Sequence, residues 1–200
     1  MKKPKQKTIG ITGGVATGKS TATAYLREKG FIVLDADALV HQLQEPGGSL
    51  YEAIAAHFGE KYFLSDGRLD RKKLSADVFS DNQLRAELSA FQDSIIRTAL
   101  VNEKEQQTAP LFFMDIPLLF ELRYETMVDE TWLIDTTADK QIARLMTRNQ
   151  LTEEEAKARI AAQLPLTEKR QNADRIIENN GSLASLYHEI DENLARLQHD

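Results

Sequence analysis

Residues 13–20 of the chain read GGVATGKS. They fit the pattern G-x-x-x-x-G-K-S, with Gly13, Gly18, Lys19 and Ser20 at the fixed positions. Each residue type suits the holding of phosphate. Glycines let the backbone turn so that several N–H groups point inward. A helix opening there adds partial positive charge at its N-terminus. The Lys19 ammonium reaches β- and γ-phosphates, and the Ser20 hydroxyl is a ligand for Mg²⁺. Gly14, Val15, Ala16 and Thr17 serve mainly through their backbone N–H groups, and Thr21 follows directly. The pattern specifies a nucleoside triphosphate and leaves open what is done with it.

Carboxylates come next. Asp35 and Asp37, in LDAD, fall just past an apolar run. That is where ligands bind in open α/β sheets. A carboxylate there accepts the proton of an attacking hydroxyl or orients Mg²⁺ through water; Asp35 also suits the N-cap of the following helix. Asp115 ends another apolar run in FFMDIPLLFE. It is placed to act on the metal through water, or to begin a strand-end turn before Pro117. Arg144 and Arg148 stand at i and i+4, and Arg159 and Gln163 repeat that spacing. Arginines stabilise the charge that phosphoryl transfer spreads over equatorial oxygens. A GTPase would carry Asn/Thr-Lys-x-Asp, and a transporter ATPase Leu-Ser-Gly-Gly-Gln; neither string occurs. A small-molecule kinase, for one nucleotide acceptor or another, and a nucleotide switch that drives a partner both stay open.

The elements that must position these residues show in the apolar pattern. Strands are expected over residues 8–12, 31–35, up to 115, 131–135 and 175–177, each apolar enough to be buried on both faces. Helical sequence separates them, which implies a parallel sheet covered on both sides. A first helix over residues 20–29 ends at Gly30. The stretch from Asp35 to the third strand is far longer than one crossover needs. Asp70 is placed to cap a helix over residues 71–79, and Leu84, Leu88, Phe91, Ile95 and Ala99 mark one apolar face of the next. Thr152 and Glu155 form a capping box for a charged, lightly packed helix, which suits a lid. A last helix from Ser182 carries Leu183, Leu186, Ile190, Leu194 and Leu197 on one face.

Composition narrows the partners. A net charge of −6 argues against a nucleic-acid binder, so anions must be gathered by local Lys and Arg. The absence of cysteine removes disulfides, thiolate catalysis and Cys-ligated zinc, and fits a reducing cytoplasm. His41, His57, His188 and His199 lack metal-ligand spacing. The basic start MKKPKQK precedes no apolar signal region and reads as a solvated tail, and no apolar run is long enough to span a membrane.

Taken together, GITGGVATGKST, VLDADALVHQL, FMDIPLLFE, ARLMTRNQLTEEEAKARIAAQLPLTEKRQNAD and IIENNGSL resemble the dephospho-coenzyme A kinase family, in the family's order. The resemblance implies an α/β P-loop NTPase fold: a five-stranded parallel sheet flanked by helices, an inserted helical substrate domain and a helical lid. The core would take residues of about 1–37, 108–140 and 173–200, the insertion about 38–107 and the lid about 141–172. It implies transfer of the ATP γ-phosphate to the ribose 3′-hydroxyl of dephospho-CoA, with ATP as co-substrate and Mg²⁺. By the same resemblance Asp37 is the general base and Thr12 lies near the acceptor. Arg144 and Arg148 are the lid arginines, while Arg97 and Gln163 meet the substrate. Asn179, Asn180 and Gly181 lie near adenine. The implied protein is cytoplasmic, a monomer or weak homo-oligomer, with no nucleic-acid or membrane partner. One departure stands out: Asp93 and Ser94 replace the His-Pro that many members carry.

Overall fold

The structure, a computed structural model, describes residues 6–197; residues 1–5, most of the basic start, and His199 lie outside them. Two compact units emerge. One holds the stretches up to residue 34 and from residue 108; the other is residues 35–107.

The first unit is built on a five-stranded sheet in the order β2-β3-β1-β4-β5. Its strands are β1 (Lys7–Gly13), β2 (Val33–Asp35), β3 (Leu111–Asp115), β4 (Glu130–Asp135) and β5 (Arg175–Glu178). The pairings of β1 with β3, β1 with β4 and β4 with β5 are parallel. Flanked on both sides, β1 is buried from Thr8 to Gly13, as a central parallel strand must be. Register then fixes chemistry: Ile11 stands opposite Asp115, and Gly13 opposite Ile134. The acidic end of β3 and the start of the glycine-rich loop thus share the carboxyl end of the sheet.

The second strand differs from expectation. It is three half-buried residues rather than five buried ones, and Ile32 is exposed. At the sheet edge it has one neighbour instead of two. Phe31 is used elsewhere. Helix α1 (Lys19–Glu28) ends in a Schellman turn in which Gly30, at φ +88°, donates to the Arg27 carbonyl at 2.9 Å. Phe31 donates to the Leu26 carbonyl at 3.0 Å. Its ring then packs edge-on against Phe113, centroids 5.4 Å apart.

Around β1 and β4 the core gathers Ile9, Ile11, Leu26, Phe113, Trp132 and Ile177 with Leu186, Ile190 and Leu194 of α9 (Leu183–Leu197). Leu183, expected on that face, is 54% exposed. The helix meets the sheet only from its second turn. Between β4 and β5 lie α6 (Ala138–Asn149), α7 (Glu153–Ala161) and α8 (Leu166–Asn172). The capping box of α7 is present in both directions. The Thr152 N–H holds the Glu155 carboxyl below its ordinary pKa, so this cap acts above the usual carboxylate pKa and is lost as pH falls through the lowered one. Only Ala156 of α7 is buried. Gln163, expected on this helix one turn after Arg159, lies beyond its end.

The second unit contains α2 (Ala36–Leu43), α3 (Ser49–Phe58), α4 (Arg71–Ser80) and α5 (Asn82–Gln106). Its own core is Ile54, Tyr62, Leu69, Leu74 and Leu88. Asp70 caps α4 by accepting the Lys73 N–H at 3.0 Å. Leu84, Leu88 and Phe91 face this core as the spacing requires. Further along α5, burial passes to Ile96 and Leu100 instead of Ile95 and Ala99.

The contrast along α9 is testable. Ile190→Ala should cost about 2–5 kcal/mol in denaturant unfolding, and Leu183→Ala within about 0.5 kcal/mol.

Candidate active site

The loop after β1 is shaped by what its residues lack. A Cβ on Gly13 would lie 2.8 Å from the Ile134 carbonyl oxygen, so only glycine fits beside β4. Gly18 has φ +98°, and a Cβ there would fall 2.0 Å from Asn179 Nδ2. Ala16, at φ 60°, takes the left-handed conformation without being glycine. Helix α1 opens with no side-chain cap, so the N–H groups of Lys19 and Ser20 are available to an anion.

Every carbonyl from Gly14 to Gly18 is satisfied from the protein side. Gly14 accepts the Thr17 N–H at 3.2 Å and the Thr17 hydroxyl at 2.9 Å. Val15 accepts Gln141 Nε2 at 2.8 Å. Ala16 and Thr17 each accept Arg144 Nη1 at 3.2 Å. Thr17 also accepts Asn179 Nδ2 at 2.7 Å. Gly18 accepts the N–H groups of Thr21 and Ala22. In a trans peptide C=O and N–H point in opposite directions. Holding the carbonyls of Val15, Thr17 and Gly18 inward therefore turns the N–H groups of Ala16, Gly18 and Lys19 the other way, into a cradle for negative charge.

Charged groups meet at the same end of the sheet. The Lys19 ammonium forms an ion pair with Asp115, which is nearly buried at the end of β3. Ser20 is exposed in the first turn of α1. Gln163 accepts the Val15 N–H at 2.8 Å. Asn180 is tied down by the Thr136 hydroxyl and the Thr137 N–H, both at 3.0 Å, and its carbonyl accepts from Lys140. Gly181 follows, exposed, where a Cβ would lie 3.1 Å from Ser185 Oγ.

Two residues expected at the substrates are engaged by the protein itself. Thr12 has no exposed surface, and its hydroxyl donates to the Pro117 carbonyl at 3.0 Å. It is a strut under the loop that follows β3. Arg144 does not extend over the loop; its guanidinium is taken up by three carbonyls behind it, the third being Asn179 at 3.1 Å. Arg148, one turn on, is exposed, with Nε donating to Asn149 Oδ1.

Other participants carry weaker sequence signals. Gln141 lies three residues before Arg144, on the same helical face, and that spacing alone marks it. Lys169 of α8 has no exposed surface; its ammonium pairs with Glu121 at 2.7 Å and donates to the Pro117 carbonyl at 3.2 Å. Glu121 also accepts the Leu164 N–H at 3.2 Å. Arg170 pairs with the buried Asp135 at the end of β4. These pairs fasten α8 beside the loop, where Leu166 abuts Gly14. No local pattern announces them, since the partners are far apart in the chain.

Within the other unit, Asp35 accepts the Ala38 N–H at 2.9 Å and caps α2, which realises the capping alternative. Asp37 sits exposed in the first turn of that helix. Arg97 pairs with Asp93 one turn earlier, at 3.5 Å.

A parallel sheet in this strand order, with a GxxxxGKS loop joining its central strand to a helix, defines a P-loop nucleotide-binding protein of the kinase type. The family model for dephospho-CoA kinase (CoaE) matches residues 7–185. The chain belongs to the dephospho-CoA kinase family. A curated dephospho-CoA kinase from Streptococcus pneumoniae serotype 4 is 48% identical over 186 residues, 92% of each chain. The solved structure of a Thermus thermophilus protein is 38% identical with a TM-score of 0.82, covering 96% of this chain and 98% of its own. That of dephospho-CoA kinase from Campylobacter jejuni is 29% identical with a TM-score of 0.70, covering 95% and 96%.

Thr12→Val keeps the shape and removes the hydroxyl. It should cost about 1 kcal/mol of stability and leave the acceptor KM within about twofold; a rise of about tenfold or more would return Thr12 to the acceptor site.

Proposed function

We infer that the chain transfers the γ-phosphoryl group of ATP to the 3′-hydroxyl of the ribose of dephospho-CoA, giving CoA and ADP. This is the final step of CoA biosynthesis. The observation that carries it is a family match over nearly the whole chain on a loop that combines a phosphate cradle with the Lys19–Asp115 pair.

The residue roles that follow are our proposal. The loop N–H groups and Lys19 hold the β- and γ-phosphates of ATP. The Ser20 hydroxyl and waters held by Asp115 supply hard oxygen donors and, with few protein ligands needed, suit Mg²⁺. When bound, Mg²⁺ offsets charge on the phosphates. Asp37 takes the proton of the 3′-hydroxyl as its oxygen bonds to phosphorus and the bond to the β-phosphate oxygen breaks. Support for Asp37 over Asp35 is that Asp35 is occupied as a cap, whereas Asp37 is exposed in the first turn of the helix. Arg148 closes on the transferring group, and Asn179 to Gly181 border the adenine. Arg97 and Gln163 meet the acceptor, Gln163 from its place on the Val15 N–H. Residues 35–107 bind the acceptor, and the lid that excludes water lies within residues of about 141–172, its moving part the lightly buried α7. We place the enzyme in the cytoplasm, working as a monomer or weak homo-oligomer on small molecules. Among the described residues no helix is long and apolar enough to cross a membrane.

A coupled ADP-release assay tests the reaction. Turnover should depend on dephospho-CoA and fall away with other nucleosides and nucleotides in an acceptor panel. Hydrolysis indifferent to every acceptor would instead mark a nucleotide switch. Asp37→Asn should lower kcat about 10²–10⁴-fold with the ATP Kd nearly unchanged; near wild-type turnover would remove Asp37 from the base role. Lys19→Ala should lose about 10²–10³ in rate, as for other electrostatic clamps.

A further inference from the structure

We propose that Arg144 is a positioning residue whose task is to hold Ala16 in its left-handed conformation, and through it the phosphate-binding face of the loop. The proposal rests on the reading that ATP binds in this loop. Three observations converge on it. Ala16 has φ 60°, a region that costs a residue with a Cβ free energy and persists only where the surroundings impose it. The Ala16 carbonyl accepts Arg144 Nη1, which also takes the Thr17 carbonyl, so one guanidinium nitrogen fixes the two peptide planes that follow Ala16. The guanidinium is itself fixed: Nη2 donates to the Asn179 carbonyl, while the Asn179 amide returns to the Thr17 carbonyl. Asn179 is largely buried, and the Gly18 Cα faces it at a distance no Cβ would allow.

The geometry accounts for the choice of arginine. Its planar fork serves three carbonyls at once, whereas a lysine ammonium is a point charge on a flexible stem. The Thr17 carbonyl, held from behind, sends the Gly18 N–H forward, while the Thr17 N–H closes the turn on the Gly14 carbonyl, so the Arg144 side chain orients the Gly18 amide without needing to touch phosphate. Loss of the side chain frees Ala16 to leave the left-handed region, and the Gly18 amide then turns away.

The test is a double-mutant cycle on ATP affinity, read by titration calorimetry, together with KM and kcat. Arg144→Met should weaken ATP binding about tenfold or more, since hydrogen bonds from a charged donor are lost. Ala16→Gly alone should shift it by about twofold at most, because glycine accepts positive φ without the cost. Ala16→Gly added to Arg144→Met should restore about fivefold to tenfold of the affinity, seen as a fall in the ATP KM with kcat following. Strictly additive effects, with no restoration, would overturn the proposal and make Arg144 a direct phosphate contact. Should Arg144→Met fail to fold, the same cycle with Arg144→Lys applies, and the same restoration is required. Lys19→Ala serves as the control for the underlying reading: if ATP affinity ignores that change, the loop is not the ATP site, whatever the cycle returns.

Discussion

Everything in the site depends on one constraint of peptide geometry. A loop that offers N–H groups to an anion must dispose of its carbonyls on the other side, because each planar peptide carries the two in opposite directions. From Gly14 to Gly18 this chain meets that demand with five satisfied carbonyls in succession, using Thr17, Gln141, Arg144, Asn179 and the first turn of α1. The donors come from the ends of other elements. Gln141 and Arg144 lie on α6 and Asn179 just after β5, so the sheet order and the placement of α6 are preconditions for the loop.

The same logic explains where ionisable groups are buried. Lys169, paired with Glu121, and Arg170, paired with Asp135, are neighbours on one short helix. Lys169 and Asp135 are the buried members; a pair with a buried charge adds little net stability, while removal of its partner is costly. Their value lies in direction. They fix α8 against the ends of β3 and β4 and so set the approach of Leu166 to Gly14 and of Gln163 to Val15. The Pro117 carbonyl, shared by Thr12 and Lys169, joins this brace to β1. Rigidity is thereby concentrated around the phosphate cradle. The charged helix α7, which buries only one alanine, stays free of it.

How much of this was legible in the sequence depends on how local each feature is. GxxxxGKS, the Gly30 terminator, the Asp70 cap and the Thr152–Glu155 box are short-range devices, and each appears where the spacing puts it. The strands of the sheet are equally plain from their apolar runs, except β2, whose place at an edge cannot be inferred from composition. Long-range pairings were hidden. Nothing in DIPLLFE shows that its glutamate meets a lysine in a later helix, and nothing in Thr12 shows that its hydroxyl turns inward to Pro117. Arg144 is the instructive case. Its spacing with Arg148 marked a shared face, but only the fold shows that one of the two is spent on backbone carbonyls while the other reaches solvent. Leu183 and Ile95 mislead for a related reason: periodicity gives a face, and tertiary contact decides how much of it is covered.

The central claim is direct, water-excluding transfer from a loop-bound ATP to a ribose hydroxyl, and isotope tracing tests it most directly. ATP whose γ-phosphoryl oxygens carry a heavy label is incubated with the enzyme and dephospho-CoA, and the products are read by mass spectrometry and phosphorus NMR. The account predicts CoA that carries the labelled phosphoryl group at the ribose 3′ position, bridged by the acceptor's own unlabelled oxygen, with little labelled free phosphate. Label recovered chiefly as free phosphate, or at any other position of the acceptor, would contradict it.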